Sequence, residues 1–240
     1  MTATAALVVL LAAVFFSALM QTLSGFGFAI LVMPIAVLLL DIRVAAPLVA
    51  LLAATLNTAN VIRYRAHVAW KEVVLLAAAA SLGVPVGIVG LSRLPANVMK
   101  AGLGTVLVLY GSYILVRPQS VRLRSTRWAL LVGFLSGCLG GAYNTSGPPV
   151  IIYGTMRQWS REGFRSILQA FFLLVAGQVI VSHYLAHHIT RTVQMDYLLL
   201  APVALLGGVL GARVDIFVPQ RGFRFLVNIL ILALGVALLL

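Results

Sequence analysis

The chain has 240 residues, of which 62% are hydrophobic and 9% charged, and its mean hydropathy is +1.10. That balance cannot clothe a water-exposed surface, so it excludes a soluble enzyme or binding module and makes lipid the main solvent. The formal net charge of +12 would suggest a nucleic-acid surface in a soluble protein; here the basic residues fall between apolar runs, so they report membrane orientation and no nucleic-acid partner is expected.

In chain order, "MTATAALVVLLAAVFF" carries no basic residue before its apolar run, so residues 4–23 read as a membrane helix and not as a cleavable leader. A short apolar run follows at 28–40, then long ones at 44–62, 72–91 and 98–116. The pattern then restarts: 128–143, a short run at 147–156, and long runs at 163–186, 195–213 and 222–240. The stretch 128–156 makes only about 44 Å of helix, whereas two crossings of the hydrocarbon core need about 60 Å. It is therefore expected to be a hairpin that enters the membrane, breaks near its middle at 143–147 and leaves by the side it entered. The single cysteine, Cys138 in this segment, can form no intrachain disulfide.

An internal repeat is visible at an offset of 124, which relates Gly83 to Gly207, Gly87 to Gly211, Pro95 to Pro219, Lys100 to Arg224, Gly111 to Gly235 and Glu72 to Asp196. Gly27 and Gly147 match at 120. The expected fold is all-α and polytopic, with a first membrane repeat over 1–116, a basic cytoplasmic linker over 117–127 and a second repeat over 128–240. Each repeat is a broken or re-entrant hairpin plus three transmembrane helices. Three crossings per repeat turn the second upside down, the inverted-repeat plan of many transporters. With 62–72 cytoplasmic, that side holds Arg63, Arg65, Lys71, Arg117, Arg122, Arg124, Arg127, Arg157, Arg161, Arg165, Arg213, Arg221 and Arg224; Arg43, Arg93, Lys100 and Arg191 face the other. This bias places a multi-pass protein in the cell's inner (plasma) membrane with both termini outside the cytoplasm.

The polar interruptions of the hairpins are the candidate site. In "YNTSGPPVIIYG", Asn144, Thr145 or Ser146 is a good N-cap, and Pro148 and Pro149 suit a first helical turn. In "TLSGFGFAI", Ser24 is the expected cap, with Gly25 and Gly27 permitting close backbone approach. If the hairpins enter from opposite faces, two helix N-termini point at the midplane and face one another, with N–H groups near residues 26–28, including Phe26 and Gly27, and near residues 147–151, which begin with Gly147 and Pro148. That arrangement suits an anion. Gln21, one turn before the first break, and Asn57, three residues from Asn60 on one helix face, are further polar groups that should turn inward, toward the pathway or toward another helix. The candidate substrate-binding set is thus Gln21, Ser24, Gly25, Phe26, Gly27, Asn57, Asn144, Thr145, Ser146, Gly147 and Pro148.

The segments "LSGFGFAILVMPIAVLLLD" and "GGAYNTSGPPVIIYGTMRQWSREGFRS" resemble the paired signature of the TauE/SafE sulfite-exporter-like family over nearly the whole chain. The resemblance rests on Gly25, Gly27 and Pro34 in the first segment and on Gly141, Gly147, Pro148, Pro149, Trp159 and Arg165 in the second. It implies a permease for sulfite or small organosulfonates such as sulfoacetate.

Other patterns contribute less. Arg165 could draw anions toward the cytoplasmic mouth, but in "RQWSREGFR" it reads first as an interfacial anchor beside Trp159. His183 and His187 have the i, i+4 spacing of a metal pair, but neither Cys nor carboxylate joins them, and no metal site is assigned. There is no HExxH, GxSxG or Walker motif and no acidic pair within the apolar runs, so neither catalysis nor a cofactor is expected. The expected partners are a small anionic substrate and membrane lipids. The reading is a transporter working by alternating access around a central anion; the alternatives are a passive anion channel and a lipid-phosphate flippase.

Overall fold

A computed structural model describes residues 3–64, 68–116, 122, 123, 125–214 and 220–240. Of the basic linker expected at 117–127, residues 117–121 and 124 lie outside the described residues. The fold is all-α, with ten helices among the described residues: α1 (Ala3–Ser24), α2 (Phe28–Leu39), α3 (Ile42–Tyr64), α4 (Trp70–Arg93), α5 (Ala96–Val116), α6 (Trp128–Tyr143), α7 (Gly147–Met156), α8 (Arg161–Leu185), α9 (Arg191–Val214) and α10 (Gln220–Leu239). Six of them (α1, α3, α4, α5, α8 and α9) are long and apolar enough to cross a membrane. Leu82, Leu109 and Leu198, each inside a helix, are 72%, 65% and 69% exposed, a surface that lipid favours and water does not. The chain is a multi-pass membrane protein.

Polar contacts define two ends. At one, the Arg157 Nε lies 3.1 Å from the Glu72 carboxylate, the Leu123 N–H donates to the Met156 carbonyl at 3.0 Å, and Arg63 donates to the Ala212 carbonyl at 3.0 Å. At the other, Ser92 Oγ approaches His188 Nε2 at 3.5 Å. α3 and α9 run toward the Glu72 end; α4 and α8 run toward the His188 end.

Small residues set the helix pairs, because in lipid close backbone approach replaces hydrophobic drive. A Cβ on Gly133, Gly137 or Gly141 of α6 would lie 2.2–2.4 Å from the carbonyls of Leu76, Ala80 and Val84 of α4, respectively. Both series ascend together, so α4 and α6 are parallel. Likewise, Gly207 and Gly211 of α9 abut the Phe15 and Leu19 carbonyls of α1, so α1 and α9 are parallel.

It follows that α1 starts at the His188 end and α2 returns to it, whereas α6 starts at the Glu72 end and α7 returns to that one. The two hairpins open on opposite ends, as an inverted repeat requires. The offset of 124 reappears in space, since Gly83 and Gly87 serve the α4/α6 contact as Gly207 and Gly211 serve α1/α9. Gly111 packs against Leu232, and Gly235 against Leu107 and Val108, where α5 and α10 cross.

Candidate substrate site

The first break follows from backbone and turn chemistry. Gly25 and Gly27 have φ of +87° and +115°, conformations that side chains oppose. The Ser24 hydroxyl shares its proton between the carbonyls of Met20 (2.8 Å) and Phe26 (2.5 Å), fastening the turn. The expectation that Ser24 caps α2 is therefore corrected: Gly27 is the N-cap and makes no side-chain bond.

The first N–H of α2, on Phe28, donates instead to Gln21 Oε1 at 3.0 Å. This fixes the Gln21 amide, whose Nε2 then donates to Asn57 Oδ1. Asn57, 2% exposed, is in turn oriented so that its NH2 is left for another acceptor. Thr22 similarly donates to Asn60 Oδ1 at 3.3 Å.

From α8, Arg165 donates to the Leu23 carbonyl and Gln169 Nε2 to that of Gly25 at 2.8 Å. The interfacial-anchor reading of Arg165 is thus incomplete, because its guanidinium reaches the carbonyl end of α1, where a cation complements the helix dipole. Sequence reasoning missed Gln169; the available signal was the rule that a buried amide in an apolar helix needs a partner.

At the second break Asn144 ends α6 in the left-handed region, φ 55°, which Asn tolerates better than most residues. Its Nδ2 donates to the Ala46 carbonyl of α3 at 2.6 Å. The Thr145 hydroxyl donates to the Tyr143 carbonyl at 3.0 Å and so gives its proton to the turn. Ser146 is the N-cap of α7 in position, yet its side chain makes no cap bond. Pro148 and Pro149 carry no N–H, which leaves Gly147 as the donor among the first three residues of α7.

The breaks flank one cavity of about 40 Å³, well above the roughly 10–15 Å³ needed for one water. Gln21, Phe26, Gly27, Asn57, Asn144, Thr145, Ser146 and Gly147 all line it, together with Ala53 of α3 and Phe172, Val175, Ala176 and Val179 of α8. Ser24, Gly25 and Pro148, also expected at the site, are not among its lining residues. Among the described residues no charged side chain lines it.

The tips do not meet at one depth. Asn144 bonds α3 at Ala46, one turn from the His188 end, and Gln21 bonds it at Asn57, toward the Glu72 end. Eleven residues, about 16 Å of helix, separate these points. Each hairpin therefore reaches past mid-depth, and the two helix starts bracket the cavity instead of pointing at one another.

Three helix starts away from the cavity are capped by side chains. Asp41 Oδ1 accepts from the Arg43 N–H at 2.8 Å, Ser160 Oγ from Gly163 at 3.1 Å and Thr190 Oγ1 from Val193 at 3.4 Å. These are the starts of α3, α8 and α9; the N-caps of α4 and α6, like those of α2 and α7, make no side-chain cap bond, although the first N–H of α2 is taken by Gln21. Among the described residues, ten helices with an apolar outer surface and a polar cavity between two hairpin tips define a polytopic membrane protein. The chain belongs to the sulfite exporter TauE/SafE family, whose profile matches residues 10–238, and its function is accordingly of the membrane anion-transport type. No curated protein and no solved structure matches the chain significantly.

Proposed function

We propose that the chain carries a small oxyanion, sulfite in the first instance, across the cell membrane by alternating access around the cavity between α2 and α7. The observation that carries this reading is a cavity between the hairpin tips that has no acidic lining and onto which the start of α7 opens, its N-cap Ser146 making no side-chain cap bond. Donors there are the oriented Asn57 NH2, the Ser146 hydroxyl and the Gly147 N–H, and all are neutral. They favour an anion through hydrogen bonds and helix dipole, strengthened where water is excluded.

Size supports an ion of a few heavy atoms over a sulfonate with a carbon chain, and Phe26, Ile151 and Phe172 supply apolar walls. The excess of basic residues at the Glu72 end supports a cytoplasmic location for that end.

The test is uptake and counterflow of radiolabelled sulfite in proteoliposomes. Ser146→Ala should weaken sulfite binding by about 1 to 3 kcal/mol, the range for a lost hydrogen bond to a charged group. Ser146→Asp should abolish it. Unchanged binding in Ser146→Asp would exclude this cavity as the site, and transport of an amine of similar size in place of sulfite would exclude the anion reading.

A further inference from the structure

We propose that His183 and His188 form a proton-binding site that couples anion passage to proton movement, with His183 Nε2 as the atom that takes the proton, one helical turn beyond the cavity lining. The proposal rests on the anion reading above and adds its driving ion. His183 is fully buried on α8, one turn beyond the cavity-lining Val179, so it continues the Phe172, Ala176, Val179 face toward the His188 end.

The chain reverses at His187, φ 56°, and the His188 N–H returns to the His183 carbonyl at 2.9 Å. This turn brings His188, and not the His187 singled out by spacing, onto His183. The ring centroids lie 5.3 Å apart and the two Nδ1 atoms 3.0 Å apart.

One proton must occupy that Nδ1–Nδ1 contact. His183 Nε2 is buried without a partner, and a buried N–H without an acceptor is rarer than a bare acceptor. The proton therefore sits on His183 Nδ1 and is donated to His188 Nδ1. His188 then carries its own on Nε2, toward Ser92 Oγ, whose hydroxyl donates to the Ile88 carbonyl at 2.9 Å. Burial, and then the Arg43 guanidinium at the start of α3, hold the His188 imidazole below the usual histidine range, so it remains a neutral acceptor at pH 7.

What remains is a bare, buried imidazole nitrogen on the residue one helical turn beyond Val179, which lines the cavity proposed for an anion. With no third metal-binding side chain grouped there among the described residues, the pair suits a proton. A buried imidazolium and a buried oxyanion are each costly alone and less so together. By linkage, each then raises the affinity for the other. The step forms one N–H bond on entry and breaks it on release; nothing is oxidised or reduced.

The experiment is sulfite uptake by the full chain in proteoliposomes with and without an acid-outside pH gradient, after subtraction of protein-free vesicles, with ungradiented counterflow as the control for folded protein. Wild-type uptake should rise several-fold with the gradient and lose that rise with a protonophore. His183→Asn retains an amide donor toward His188 but has no Nε2, so its ratio of uptake with to without the gradient should fall to unity; His188→Gln should do the same from the half-buried side. Wild-type exchange indifferent to the gradient, or a full gradient response in either variant, overturns the proton site alone. Absence of wild-type counterflow overturns the sulfite reading and the coupling with it.

Discussion

At the scale of single residues, the site is shaped as much by protons already committed as by those left open. Ser24, Thr145 and Asn144 looked equivalent to Ser146 as polar residues at a break, yet each donates to a backbone carbonyl. Ser146 and Asn57 retain donors because Ser146 makes no cap bond and Gln21 turns the Asn57 amide. The sequence could not reveal this, since the Gln21 to Phe28 bond spans seven residues across a turn whose geometry depends on two positive-φ glycines. The two matched glycines also have different reasons. A Cβ on Gly27 would meet nothing within 4 Å, but φ +115° opposes it; one on Gly147 would meet Ile151 at 3.3 Å and Phe172 at 3.5 Å. Gly27→Ala should therefore cost about 1–3 kcal/mol of stability as backbone strain, while Gly147→Ala should fold normally. Gly147→Leu should fill the cavity and abolish sulfite transport. Thermal unfolding in detergent and uptake assays separate these outcomes; equal unfolding of Gly27→Ala and wild type would remove the strain argument.

Among the elements, the hairpins differ in what holds them. The open end of the second is fastened by Glu72 of α4, whose carboxylate accepts from the Tyr153 hydroxyl (3.0 Å), Arg157 Nε (3.1 Å) and Trp159 Nε1 (3.1 Å). The first is held at its tip by Arg165 and Gln169. Glu72→Ala removes three hydrogen bonds, one of them from a guanidinium, and should cost roughly 2–4 kcal/mol. Hydrogen exchange should quicken in α7 and remain unchanged in α2; equal acceleration of both would show that the carboxylate does not act on the second hairpin in particular. The repeat was readable because glycine spacing records close packing directly: Gly83 with Gly87 and Gly207 with Gly211 are the contact points themselves. The depth of the breaks was not readable. Length arithmetic showed that α6 and α7 cannot cross twice, but only contacts with α3 reveal that each tip passes mid-depth. His187 misled for a related reason, because its left-handed φ reverses the chain and spoils helical spacing.

For the whole molecule, orientation can be checked chemically. In a Cys138→Ala background, a cysteine at Ser125 should be labelled only from the cytoplasm and one at Thr190 only from outside, since they follow opposite ends of the fold; both positions are exposed. Labelling of both from the same face would overturn the inverted plan. The pairing of α1 with α9 and of α4 with α6 also bears on how the chain is made. Phe15 lies against Gly207, so α1 packs on a helix synthesised much later. At roughly 5–20 residues per second, nearly two hundred residues of further synthesis take on the order of ten seconds or longer. Throughout that interval the glycine-contacting face of α1 has only lipid or the insertion machinery to cover it. α1 therefore waits for its α9 neighbour long after its own synthesis, and the cavity, whose lining runs from Gln21 to Val179, cannot form before α8 is made.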